Sequence, residues 1–145
     1  MIKLAAIPSI IGIKDASGNL ARVSSHRIGC GPDFCQLSGN DDMAVAFNGA
    51  GGGGCISVTA NVAPNLCAEV QRACQAGDFA HARELDDVLH ALHGALFADA
   101  SPGPAKYALS RILDWMTDEL RLPMTRPCEA ARNAVDAALE IAGLI

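Results

Sequence analysis

Residues 10–19 read IIGIKDASGN, an apolar run of strand character that stops at a lysine, Lys14, and breaks at once into an acidic, small-residue turn. β-branched residues bounded by turn formers favour a strand over Ile10 to Ile13. A charge at the end of such a strand either escapes to solvent or is held there for use. In parallel α/β folds the sites gather at the carboxyl ends of the strands, so Lys14 is the first candidate residue.

Two further segments repeat the pattern, Phe34 to Leu37 and Cys55 to Val58, with short helical patterns between them at Leu20 to Ile28 and Asp41 to Phe47. This alternation predicts βα units and a parallel sheet. After Thr59 the character changes to helix. Pro64 opens a helix that runs to Gly77, with proline and glycine at the ends that favour them. A longer helix runs from Asp78 to about Phe97, with Phe79, Leu85, Leu89, Leu92 and Leu96 along one face. Two more follow, Pro104 to Met116 and about Glu129 to Ala142. The latter turns Ala131, Val135, Ala138 and Leu139 inward. Residues 1–77 therefore read as a partial barrel, and residues 78–145 as a helical extension. Met1 to Ala6 looks like the end of a helix, and three parallel strands leave unpaired edges, so the chain is expected to be part of something longer.

The bulk numbers narrow the chemistry. The 145 residues fall far short of the roughly 250 of a complete eight-fold barrel. A net charge of −5 with only 11 Lys and Arg gives no positive field for nucleic acid or an anionic membrane. No apolar run approaches the ~20 residues of a membrane span, and a cytoplasmic location is the expectation. The six cysteines show no CxxC and no zinc-type spacing with histidine. They read as reduced, mostly buried small hydrophobes, with no metal site.

Position alone leaves Lys14 open between a solvated strand-end charge and an imine-forming amine. The second role requires a neutral amine. A lysine with its ordinary pKa of ~10.4 is neutral to under about one part in a thousand at pH 7, and ~4–5 kcal/mol is needed to change that. Desolvation in a barrel mouth can supply it. Asp15 should not oppose it, because adjacent strand residues face opposite ways. In LSGND, Leu37 to Asp41, the glycine permits close approach to a ligand and Asn40 with Asp41 can cap the next helix. The glycine run Gly51 to Gly54 precedes its strand and lacks a Lys-Ser or Lys-Thr pair, so it reads as a helix-to-strand loop and not a phosphate loop. Ser57 and Thr59 stand on alternate positions, where one face of the strand would line a barrel interior. Asp86, His90 and His93 share a helix face opposite the leucines, which reads as a solvated face.

GIKDASGN, LSGND, GGGGCISVTANVAP, ASPGPAKYAL and LRLPM occur in this order across nearly the whole chain. Together they closely resemble the carboxyl-terminal half of the dihydrodipicolinate synthase family, Schiff-base lyases of the N-acetylneuraminate lyase superfamily. The resemblance implies the carboxyl-terminal part of a TIM (β/α)8 barrel, an α/β fold, followed by a helical extension. It implies that Lys14 forms an imine with pyruvate, whose enamine then attacks aspartate semialdehyde in lysine biosynthesis. It places Gly39 and Ile56 around the bound pyruvate. No separate cofactor is implied, the partners are these small molecules, and a homo-oligomer is expected. Asn40 stands where the family commonly has Asp, and Gly53 where Lys or His is frequent. The family's threonine pair, relay tyrosines and substrate-binding arginine belong to its amino-terminal half and map onto none of these residues. The chain by itself is therefore expected to be weak or inactive. The alternatives are a non-catalytic remnant or interaction module of the same fold, and a sister aldolase acting on sugar acids or sialic acid.

Overall fold

The computed structural model describes residues 1–145. A short helix α1 (Ile2–Ala5) leads into strand β1 (Gly12–Asp15), helix α2 (Ala21–Cys30), strand β2 (Cys35–Ser38) and helix α3 (Ala44–Gly49). Helices α4 (Pro64–Gln75), α5 (Phe79–Ala95), α6 (Gly103–Ile112) and α7 (Glu129–Ile141) complete the chain. Single 3-10 turns lie at Asp41–Met43 and Thr59–Asn61.

β1 and β2 pair in parallel, with Gly12 opposite Cys35 and Lys14 opposite Leu37. The two-residue period of a strand sorts their side chains. Gln36 and Ser38 are buried toward the helices, and the Gln36 amide donates to the Val23 carbonyl of α2 at 3.1 Å. Lys14 and Cys35 lie on the other face, which carries no second layer within residues 1–145, and both are exposed.

The third strand expected over Cys55 to Val58 is reduced to one bridge, Ser38 to Cys55. Its backbone follows β2 only briefly: Gly53 N–H donates to Gln36 O, Ser38 N–H to Gly54 O and Ile56 N–H to Ser38 O, each at 2.8 Å. Beyond Ile56 the Asp41 side chain takes the Val58 N–H at 2.9 Å, and the chain turns into the Thr59–Asn61 turn instead of continuing a ladder. The glycine run before the bridge is a loop, as its sequence suggests. A Cβ at Gly52 would collide with the ring of Phe47, a buried residue, so the missing side chain is what lets the loop lie on α3.

Most of the core sits among the helices. Fifteen buried residues form one cluster that includes Val70, Leu89, Leu92, Leu96, Val135 and Leu139. The leucine stripe of α5 builds this cluster, with Leu92 and Leu96 fully buried, while Asp78 caps the helix by accepting the His81 N–H at 3.0 Å. α7 buries Ala131, Val135, Ala138 and Leu139, the face expected from its spacing. α6 ends at Ile112, four residues before the expected Met116, because Leu113 is already extended at φ −119 and ψ 110. The cysteines are all free, but only Cys74 is buried; Cys35 and Cys128 are exposed and the other three are half-buried. Cys35 is exposed because it shares the uncovered sheet face with Lys14. No helix is long and apolar enough to cross a membrane.

Candidate functional site

Lys14 is the third residue of β1 and projects from the uncovered face near the carboxyl ends of the strands. Its stem runs against Gly39, the residue after β2. A Cβ built at Gly39 would lie 2.7 Å from Lys14 Cε and 2.7 Å from Ala16 Cβ, so a larger residue there would displace the lysine stem and press on Ala16. The Gly39 N–H donates to the Asp15 carbonyl at 2.8 Å, locking the two strand ends together. Ile56 follows the Cys55 bridge, is anchored by its N–H to Ser38 O, and is 47 % exposed. The structure thus gathers Lys14, Gly39 and Ile56 at one end of the sheet.

The expected dry surroundings of Lys14 are not present within these residues, since the amine side chain is exposed. β1 is an edge strand and no layer faces it, so nothing removes water from the amine.

Asp15 does turn away from Lys14. Its carboxylate accepts from Arg22 Nε at 2.7 Å and from the Ser17 N–H at 2.8 Å. Burial pushes this carboxyl up, but the hydrogen bonds from Arg22 and Ser17 outweigh that and pull it down to about 2. A depressed acid stabilises the fold above its ordinary value of 3.8 and loses that contribution as pH falls toward 2. The urea midpoint is therefore expected to fall between pH 4 and pH 2, and Asp15→Asn to flatten that part of the curve. An unchanged acid limb in Asp15→Asn would show that other carboxyls carry it.

Asn40 and Asp41 do not cap the following turn, as their types suggested. No side-chain cap bond forms there. Asn40 Nδ2 reaches Met43 Sδ at 3.7 Å, and the buried Asp41 carboxylate crosses to the other strand end. There it accepts from the Ser57 hydroxyl and the Val58 N–H. Ser57 and Thr59 accordingly do not line the inner face: Ser57 is bonded to Asp41, and Thr59 is fully buried beneath α5.

The face of α5 read as solvated is also corrected. His90 is exposed, but His93 is buried, with Thr59 Oγ1 2.8 Å from Nδ1 and Asp86 Oδ1 3.3 Å from Nε2. α5 packs against the Asp41–Met43 turn, and Thr59 meets the ring from the Thr59–Asn61 turn. The signal was in the spacing: His93 falls between Leu89 and Leu96 at i, i+4 and i+7, on the buried stripe itself.

Two cavities flank this junction. One, of about 390 Å³, opens beyond the strand ends between Gly39 to Asp42 and His93 and Gly94 of α5, with Phe97 just past that helix. The other, of about 210 Å³, lies on the helix side against Asp41, Cys55, Ser57, Cys67, Asp86 and His93. Burial, then the charge of Asp41, pushes the Cys55 thiol up to about 12 and Cys67 up to about 11. Both stay protonated at neutral pH and are poor nucleophiles. Lys14 carries the exposed amine at the strand ends.

A model of the Dihydrodipicolinate synthetase family matches residues 1–142. A 4-hydroxy-tetrahydrodipicolinate synthase of Rhizorhabdus wittichii is 64 % identical over 141 residues, covering 97 % of this chain and 48 % of that protein. The one from Zymomonas mobilis is 57 % identical over 145 residues, covering all of this chain and 50 % of that one. Among solved structures, dihydrodipicolinate synthase from Aquifex aeolicus superposes with a TM-score of 0.93 at 34 % identity, over 99 % of this chain and 49 % of that one. The chloride-inhibited enzyme from Acinetobacter baumannii, complexed with pyruvate, gives a TM-score of 0.92 at 36 % identity over the same shares. The chain spans about half the length of the curated relatives it matches.

Proposed function

The chain belongs to the Dihydrodipicolinate synthetase family, and from that premise we propose that Lys14 forms a Schiff base with pyruvate in a class I aldolase-type lyase. The fold supports the reading: the small parallel sheet with its helices is the carboxyl-terminal part of the family's barrel. The observation that carries it is the passage of the Lys14 stem across Gly39, which aims the chain's one accessible strand-end amine past the end of the sheet.

In this reading the amine adds to the keto carbon of pyruvate, and loss of water gives an iminium. Loss of a methyl proton then gives the enamine, whose carbon attacks the aldehyde carbon of aspartate semialdehyde. No further cofactor enters, because the iminium itself is the electron sink. Gly39 and Ile56 border the bound pyruvate, one by backbone and one by side chain. The amine must be desolvated to react, and the uncovered face calls for a covering layer: Lys14 and Cys35 are exposed on it, and Ile56 beside it is 47 % exposed. The rest of the family's barrel supplies that layer.

With the covering layer in place, incubation with pyruvate and borohydride, followed by intact mass, is expected to show one reduced pyruvate per chain; a folded and covered protein with none contradicts the proposal. Aspartate semialdehyde, offered beside sugar-type aldehydes, should be the aldehyde consumed. Gly39→Ala is expected to slow adduct formation about tenfold or more, with little change in circular dichroism, because its methyl occupies the path of the Lys14 stem. Trapping at the unaltered rate would remove Gly39 from the site.

A further inference from the structure

We propose that Asp41 is a positioning residue for the pyruvate site: its buried carboxylate ties the turn after Gly39 to the Ser57–Val58 peptide and so holds Ile56 at the end of β2. The inference rests on the Lys14 reading above. Asp41 is 4 % exposed, and its two oxygens serve two donors 16 and 17 residues away in sequence. One accepts from the Ser57 hydroxyl and the other from the Val58 N–H at 2.9 Å.

The need for such a tie comes from the weakness of the third strand. Backbone pairing between the Gly53 to Ile56 segment and β2 ends with Ile56 N–H on Ser38 O. Asp41 continues the attachment for the next two residues, where a ladder would otherwise do so. The contacts on either side are themselves fixed. Ser57 Oγ also accepts the Ala60 N–H at 2.8 Å, and Ser38 Oγ bonds Asn40 through both its N–H at 3.1 Å and its carbonyl at 2.9 Å. Gly39, two residues before Asp41, and Ile56, one before Ser57, are thereby set relative to each other by the last backbone bond, Ile56 N–H to Ser38 O, and by the Asp41 side chain beyond it. An amide can still accept the Val58 N–H and donate to Ser57 Oγ, but only the carboxylate accepts both bonds with the charge assistance that strengthens them.

The test is the pyruvate dependence of borohydride trapping in the purified protein and its variants. Asp41→Asn is expected to raise the half-saturating pyruvate concentration about tenfold, the scale of losing charge assistance on two hydrogen bonds, while trapping at saturating pyruvate is largely kept. Ser57→Ala removes one of the two bonds and is expected to give a smaller shift in the same direction. It decides the matter alone if Asp41→Asn does not fold. Tyr107→Phe, which loses a hydrogen bond to Asp136 between α6 and α7, serves as a control for general loosening and should leave the pyruvate dependence unchanged. If the original protein forms the adduct and neither Asp41→Asn nor Ser57→Ala shifts its pyruvate dependence, the positioning role is overturned and the Lys14 reading stands. A shift in Tyr107→Phe as large as in Asp41→Asn also overturns it. Absence of any adduct in the original protein with its covering layer in place overturns both.

Discussion

Under the proposed Schiff-base role, Lys14→Ala is expected to abolish the pyruvate adduct and, where the covering layer is present and condensation runs, to lower its rate by about 10⁴-fold or more, the scale on which removing a covalent nucleophile acts. No other residue at the strand ends can take its place. The thiols nearest the junction, Cys55 and Cys67, are held protonated, and Asp15 is committed to Arg22. Because Lys14 is exposed, its removal costs the fold little, within about 0.5 kcal/mol. Loss of turnover with an unchanged urea midpoint is thus the specific signature. A Lys14→Ala protein that still turns over pyruvate would place the chemistry elsewhere.

The second large effect is on stability. Leu92 is fully buried in the cluster formed by α4 to α7, and Leu92→Ala is expected to cost about 2–5 kcal/mol, from lost transfer energy plus the cavity left behind. With a urea slope of roughly 1–3 kcal/mol per molar, the midpoint should drop by about 1 M or more. Ile28→Ala, at a side chain 84 % exposed on α2, is the comparison and should move it little. Equal shifts for the two would mean that the core does not lie where α5 meets its neighbours.

The helices were the most legible part of the fold. The leucine stripe of α5 and the alanine–valine face of α7 are periodic over several turns: α7 buries the four residues its period selects, and the α5 stripe buries Leu89, Leu92 and Leu96 and half-buries Phe79 and Leu85. The sheet was less so. Local composition made Cys55 to Val58 a strand, but strands are decided by partners: a carboxylate from Asp41, distant in sequence, competes with the ladder for Val58. Tertiary contact likewise moved His93 from an expected solvent face into the buried stripe, and Asp41 from a helix cap to a cross-strand tie. Lys14, Gly39 and Ile56 do come together at one end of the sheet, because their spacing follows the strand ends. The solvent around Lys14 could not be read from its own strand, because desolvation depends on what faces the strand.

The most direct test of the account is the location of the trapped pyruvate. After borohydride reduction the protein is digested and the modified peptide sequenced by mass spectrometry, with Lys3 and Lys106 as internal competitors. The account predicts modification at Lys14, within IIGIKDASGN, and none at the other two. Reduced pyruvate distributed over all three lysines, or on Lys3 or Lys106 instead, would contradict it.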